Sequence, residues 1–184
     1  MSNSLLLNIS LRKPINGSYT IDLVCEIKRF KKLSKIIKKD LDCLEESINY
    51  ENWSSQNVEI NIKITSKNFG KVLPVVSGKL KTRYQLACKN CLKPLNKEIK
   101  LALALILCSN GDTESEINGY DFWELSDDRI KIHDLIEEVL IMNVPLYAKH
   151  DDRKNCITFN EPQVTKQTTL VSPFAGLRNQ LNKK

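Results

Sequence analysis

Two cysteines three residues apart, Cys88 and Cys91 in QLACKNCLKPL, and a later histidine and cysteine, His150 and Cys156 in HDDRKNC, are the side chains of this sequence best suited to chemistry. Two thiolates at this spacing can reach one metal ion from a turn, and a tetrahedral site then needs two further ligands, for which His150 and Cys156 are the natural candidates. A Cys3His set of this kind is coordinatively closed, so the zinc it would hold is structural. Two other readings stay open. A thioredoxin-like redox pair normally opens a helix within a βαβ unit, whereas this pair interrupts what reads as a hairpin. Plain, unliganded thiols packed at the end of a strand are the third.

Little else points to catalysis. Only two histidines are present, His133 and His150, and no G-x-S-x-G, P-loop, glycine-rich dinucleotide turn or H-E-x-x-H occurs. His133, near the start of a helix, reads as exposed or capping. Glu137 and Glu138 are neighbours on that helix and diverge, so with Asp134 they read as a solvated acidic patch. No nucleophile meets a base, and the expectation is a binding protein, not an enzyme.

Charge is segregated along the chain. Residues 28 to 39, KRFKKLSKIIKK, hold seven basic side chains and no acid, and residues 63 to 100 hold ten against Glu98 alone. Residues 112 to 138 reverse the sign, with ten acids against Arg129 and Lys131. A cationic face of this density suits the phosphates of RNA, and Lys28, Arg29, Lys31, Lys32, Lys35, Lys79, Lys81, Arg83 and Lys89 are the candidate contacts. A solvated lysine-rich surface without a nucleic-acid partner is the competing reading of the same residues. The longest apolar run, Leu101 to Cys108, is far shorter than the roughly 20 residues a membrane-spanning helix needs. The N-terminus has no basic start or sustained apolar stretch, so a cytoplasmic protein with reduced cysteines is expected.

The elements that must position these residues follow from periodicity. YTIDLVCEI and VEINIKIT alternate with period two, and LPVVSGKLKTRYQLA and PLNKEIKLALALILC read as further strands around the CKNC turn. Pro74 and Gly78 suggest that the third of these lies at an edge or carries a bulge. Phe30, Leu33, Ile36, Ile37, Leu41, Leu44 and Ile48 recur at helical spacing, with Asp40 and Asp42 as a break and the lysines on the opposite face. Ile132, Leu135, Ile136, Val139, Leu140 and Asn143 mark a second helix that Pro145 stops. YDFWEL is a short segment packing by Phe122 and Trp123, and the acidic stretch from Ser109 to Gly119 is a loop. The expected fold is α+β: a small antiparallel sheet of at least three strands with flanking helices. One domain is expected over residues 1–155, followed by a flexible tail, 156–184. Near its end Pro173, Phe174, Leu177 and Leu181 form a short amphipathic element suited to a partner or, equally, to docking on the parent domain as a terminal helix.

The order of landmarks, VSGKLKTRYQLACKNCLKPL, then IKIHDLIEEVLIMNVPLYAKHDDRKNC, then SPFAGLRNQLNKK, resembles the YceD family from about Val75 onward. Asn90, His133 and Ser172 stand where that family usually has arginine, aspartate and asparagine. The resemblance implies a ribosome-biogenesis factor that supports synthesis, processing or stability of large-subunit ribosomal RNA, without catalytic activity. The partner would be that RNA or its precursor, or, alternatively, a ribosomal protein or processing enzyme bound by an adaptor that does not touch RNA.

Overall fold

The computed structural model describes residues 4–13, 15–44, 52–109, 117–151 and 156. Its elements run β1 (Asn8–Ser10), β2 (Ser18–Glu26), α1 (Lys31–Leu41), β3 (Asn57–Asn68), β4 (Val72–Ala87), β5 (Pro94–Ser109), β6 (Asp121–Leu125), β7 (Arg129–Lys131) and α2 (Ile132–Met142). The fold is α+β, as the alternation of the strands and the stripes of the helices imply. Five strands form one sheet in the order β2-β3-β4-β5-β6, and β1 pairs with β7 in a separate antiparallel ribbon.

The sheet has five strands, in keeping with the expectation of at least three, and the fifth is YDFWEL, which is itself a strand. β6 lies parallel to β5, pairing Ile106 with Phe122 and Leu107 with Trp123. β4 is also not an edge. It pairs with β3 on one side and β5 on the other without a slip in register. Pro74 is accommodated because it precedes Val75, where pairing with β5 begins. Gly78 is needed for a different reason than a bulge. Its φ is +147°, and a Cβ there would stand 2.2 Å from the Asn61 carbonyl oxygen. The glycine lets the β3 backbone approach, and only glycine adopts that conformation without strain.

Both helices cover one face of the sheet. Val58, Ile60, Ile62 and Ile64 of β3 and Leu80 and Tyr84 of β4 point into the core beneath them. Tyr84 is fully buried, donates its hydroxyl to the Leu140 carbonyl at 3.0 Å, and has its ionisation pushed upward by burial. Leu33, Ile37 and Leu41 of α1 are inward as expected, but Ile36 is 39% exposed among the lysines. α1 ends at Leu41, at the Asp40–Asp42 break, and Ile48 lies outside the described residues.

The start of α1 is an unusual one. No side chain of its own caps it, and its first turn contains no acid but two lysines, Lys31 and Lys32. Those charges oppose the positive end of the helix dipole. The missing acceptor comes from α2. Glu137, only 4% exposed, accepts the amides of Lys32 at 2.6 Å and Leu33 at 3.3 Å. Glu137 is therefore not part of a solvated acidic patch. It faces inward while its neighbour Glu138 faces out and pairs with Lys32 at 3.7 Å. His133 is likewise neither free nor capping: it stacks on Phe30 with ring centroids 5.0 Å apart, and its Nε2 donates to the Arg29 carbonyl at 3.1 Å.

Two substitutions test this account. Glu137→Ala is expected to cost about 2–3 kcal/mol in chemical denaturation, since it strands buried amides, whereas Glu138→Ala should stay within roughly 0.5 kcal/mol as an exposed pair. Gly78→Ala is expected to lose at least about 2 kcal/mol, from a left-handed strain and a backbone clash together; an unchanged denaturation midpoint would refute the close approach.

Candidate functional site

The turn between β4 and β5 is built to present sulfur. The Cys88 amide donates to the Lys93 carbonyl and the Leu92 amide to the Cys88 carbonyl, both at 2.9 Å, closing a tight loop over residues 88–93. The segment after α2 is pinned beside it by the Lys89 amide, which donates to the Ala148 carbonyl at 2.8 Å. These backbone bonds bring His150 to the hairpin.

Cys88, Cys91, His150 and Cys156 converge, with their donor atoms all within 4.8 Å of one another. Cys88 Sγ lies 3.6 Å from Cys156 Sγ, and Cys91 Sγ lies 3.5 Å from His150 Nδ1. A disulfide needs about 2.05 Å, so the first pair is not bonded. In a tetrahedral site with metal–sulfur bonds of about 2.3 Å and metal–nitrogen bonds of about 2.0 Å, sulfur–sulfur edges are roughly 3.8 Å and sulfur–nitrogen edges roughly 3.5 Å. The two observed separations match those edges. The histidine tautomer fits as well: Nε2 faces the Pro94 carbonyl at 3.3 Å, which can only accept, so the proton sits on Nε2 and the Nδ1 lone pair is free for a ligand role. The cluster can hold a metal ion. All four residues expected from the sequence are the ones brought together, and all three cysteines are buried.

The electrostatics of the cluster favour a cation. Burial works to raise the Cys88 thiol, but the amides of Asn90, Cys91 and His150 and the Cys91 thiol donate to it and lower it to about 6. Cys91 moves the other way, raised by burial and by the neighbouring Cys88 sulfur. One sulfur is thus ionised at neutral pH, and the remaining protons leave when a cation arrives.

The basic candidates do not form one surface. Lys28, Arg29, Lys31, Lys32 and Lys35 all lie exposed at the start of and along α1, joined there by Lys38 and Lys39. Lys28 pairs with Glu26 at 2.5 Å and Lys32 with Glu138, but among the described residues Lys31, Lys35, Lys38 and Lys39 make no ion pair. Lys79, Lys81 and Arg83 alternate with the buried Leu80, Thr82 and Tyr84, which puts them on the face of the sheet away from α1. Charges there are interleaved: Lys81 contacts Glu59 at 3.4 Å and Glu98 at 3.9 Å, and Lys100 contacts Glu98 at 2.9 Å. Lys89 is different again, bonded to a half-buried Asp40 whose other oxygen accepts the Ala87 amide at 2.7 Å. Asp40 therefore fastens the end of α1 to the cysteine hairpin, a role the sequence showed only as a helix break. Pro173, Phe174, Leu177 and Leu181 lie outside the described residues.

A five-stranded sheet backed by a basic helix and fastened to a Cys3His cluster makes this an α+β protein with a candidate metal centre. A family model described as large ribosomal RNA subunit accumulation protein YceD matches residues 76–179, more than half of the chain, and the protein belongs to the YceD family. The match takes in both halves of the cluster, Cys88 and Cys91 of the hairpin and His150 and Cys156 after α2. No curated protein and no solved structure matches the chain. No helix among the described residues is long and apolar enough to cross a membrane.

Metal binding here should be proton-coupled. Titration with Co2+ is expected to give the absorption of a tetrahedral thiolate site, with affinity falling about tenfold or more per pH unit as protons reclaim the sulfurs, most steeply below about pH 6 where Cys88 protonates too. Cys156→Ser should lower that affinity by at least about 100-fold; binding indifferent to pH and to this change would rule the cluster out.

Proposed function

We propose that this protein is a non-catalytic, cytoplasmic factor that supports accumulation of large-subunit ribosomal RNA by binding that RNA or its precursor through the cationic face of α1. The observation that carries the reading is the lysine face itself: Lys31, Lys35, Lys38 and Lys39 stand exposed without acidic partners among the described residues, on a helix held rigidly at both ends by Glu137 and Asp40. Unpaired cations on a fixed scaffold are what phosphate neutralisation needs. Lys28, Arg29 and Lys32 extend the same face.

Lys79, Lys81 and Arg83 are the secondary surface of this proposal. Their interleaving with Glu59 and Glu98 leaves less net charge for phosphates, and the outward residues around them include no aromatic on which a base could stack. The reading is thus of backbone contacts that position an RNA without reading its sequence. The ion that Cys88, Cys91, His150 and Cys156 would hold is Zn2+, because three thiolates and an imidazole suit zinc over the oxygen-seeking divalent ions. Its role is to fasten the segment after α2 to the hairpin.

Binding of purified protein to large-subunit ribosomal RNA fragments, measured across salt concentrations, tests this. The logarithm of affinity should fall linearly with the logarithm of salt, by roughly 0.7–0.9 per phosphate contacted. Changing Lys31, Lys35, Lys38 and Lys39 to Gln should flatten that slope by about three, while Lys79→Gln with Lys81→Gln changes it by one or less. Affinity that does not respond to salt, or that survives loss of the α1 lysines, overturns the assignment.

A further inference from the structure

A second surface lies at the metal-cluster end of the molecule. Nine large apolar side chains are exposed among the described residues, and four of them, Leu92, Met142, Leu146 and Tyr147, belong to the cysteine hairpin and to the end of α2 and the segment after it. The two segments are in contact: the Tyr147 hydroxyl donates to the Asn90 side-chain carbonyl at the tip of the hairpin, and the Lys89 amide donates to the Ala148 carbonyl. Leu146 is 96% exposed and Tyr147 61% exposed. Exposed apolar side chains scattered singly need no explanation, whereas several carried by two segments bonded to each other do.

Leu92 gives the group its sharpest feature. Its φ is +50°, and it is the one non-glycine residue with positive φ among those described. A turn at that position is served without strain by glycine or asparagine. A leucine there is strained, and its side chain, 41% exposed, repays little by burial. Strain kept at an exposed side chain indicates that the side chain is used outside the fold.

The rim decides what fits. Lys93 and Lys149 are exposed beside these residues, and the nearby Asp151 is engaged by Lys97 at 3.4 Å. Three of the four exposed side chains, Leu92, Leu146 and Met142, are aliphatic and offer nothing for a base to stack on, and the one aromatic, Tyr147, is tied by its hydroxyl to Asn90; an apolar centre with a charged rim is the make-up of a protein interface. The chain's own C-terminal stretch carries Arg178, Lys183 and Lys184 beside its apolar residues, the same sign as the rim, as would a second copy of this surface. We infer that the hairpin tip and residues 146–147 form a docking surface for a partner protein, through a segment in which apolar residues are flanked by Asp or Glu. This surface uses none of the exposed α1 lysines and does not depend on RNA binding there.

A photoreactive benzoylphenylalanine at position 146 of the full chain, irradiated in cells, tests the inference when the crosslinked peptide is identified by mass spectrometry. The expected product is a partner peptide of apolar residues flanked by acids. Made synthetically, that peptide should bind the purified protein, and Leu92→Gly and Leu146→Ser should each weaken it by about tenfold or more. Leu92→Gly should at the same time leave the thermal midpoint equal or raised, because glycine relieves the left-handed strain, so its loss of binding cannot be unfolding. The α1 lysine changes should leave the peptide's affinity unaltered. Crosslinks only to RNA, to a second copy or to the chain's own tail, no crosslink at all, or a peptide indifferent to both substitutions would each overturn the proposal.

Discussion

The bond from Glu137 to the first amides of α1 is the constraint on which the character of this molecule rests. An eleven-residue helix with five lysines and no acid in its first turn is poorly suited to exist alone: it is short, its leading charges oppose its dipole, and nothing local accepts its free amides. A carboxylate placed inside the first turn would solve all of this but would interrupt the cationic surface. Supplying the carboxylate from α2, beneath the helix, satisfies the amides while leaving the wet face wholly basic. Stability and charge density, which compete in an isolated helix, are separated by assigning one to a neighbour.

The other end of α1 repeats the device with a different target. Asp40 accepts the Ala87 amide just before the cysteine turn and bonds Lys89 within it. The basic helix and the thiol cluster are therefore mechanically continuous, through one side chain and the strand end it holds. The hairpin in turn is tied to the segment after α2 by Lys89 and Ala148, so three stretches distant in sequence meet at one corner of the sheet.

What the sequence displays are patterns that each segment carries by itself. Period two marked the long strands, the stripe from Leu33 to Leu41 marked α1, and Cys-X2-Cys with His-X5-Cys marked the cluster, because ligand chemistry restricts which residues can serve. What it hides are relations between segments. Nothing local distinguishes Glu137 from Glu138, since which of two adjacent acids is buried depends on where α1 lies. Gly78 looked like a bulge because a glycine within a strand has several uses, and only the nearness of the Asn61 carbonyl selects one. The parallel pairing of β6 escaped detection for the same reason: five residues have no periodicity of their own, and their place beside β5 is set by the sheet edge they cover. Segregation of charge was legible, but its division between two faces of the sheet was not.

The ribbon of β1 and β7 carries a consequence for the order in which the fold can close during synthesis. β1 finds its partner only at residues 129–131, with the Ile132 amide donating to the Leu7 carbonyl and the Leu11 amide to the Asp128 carbonyl. Strands β2 to β5 are joined by sequential pairings and can assemble as they emerge. Residues 8–10 must nevertheless wait, unpaired, until residues 129–131 and the start of α2 have followed them out of the ribosome, and the same helix brings the carboxylate that α1 lacks. Completion is thus deferred to a single late event, in which the arrival of α2 closes the N-terminal ribbon and seats the basic helix together.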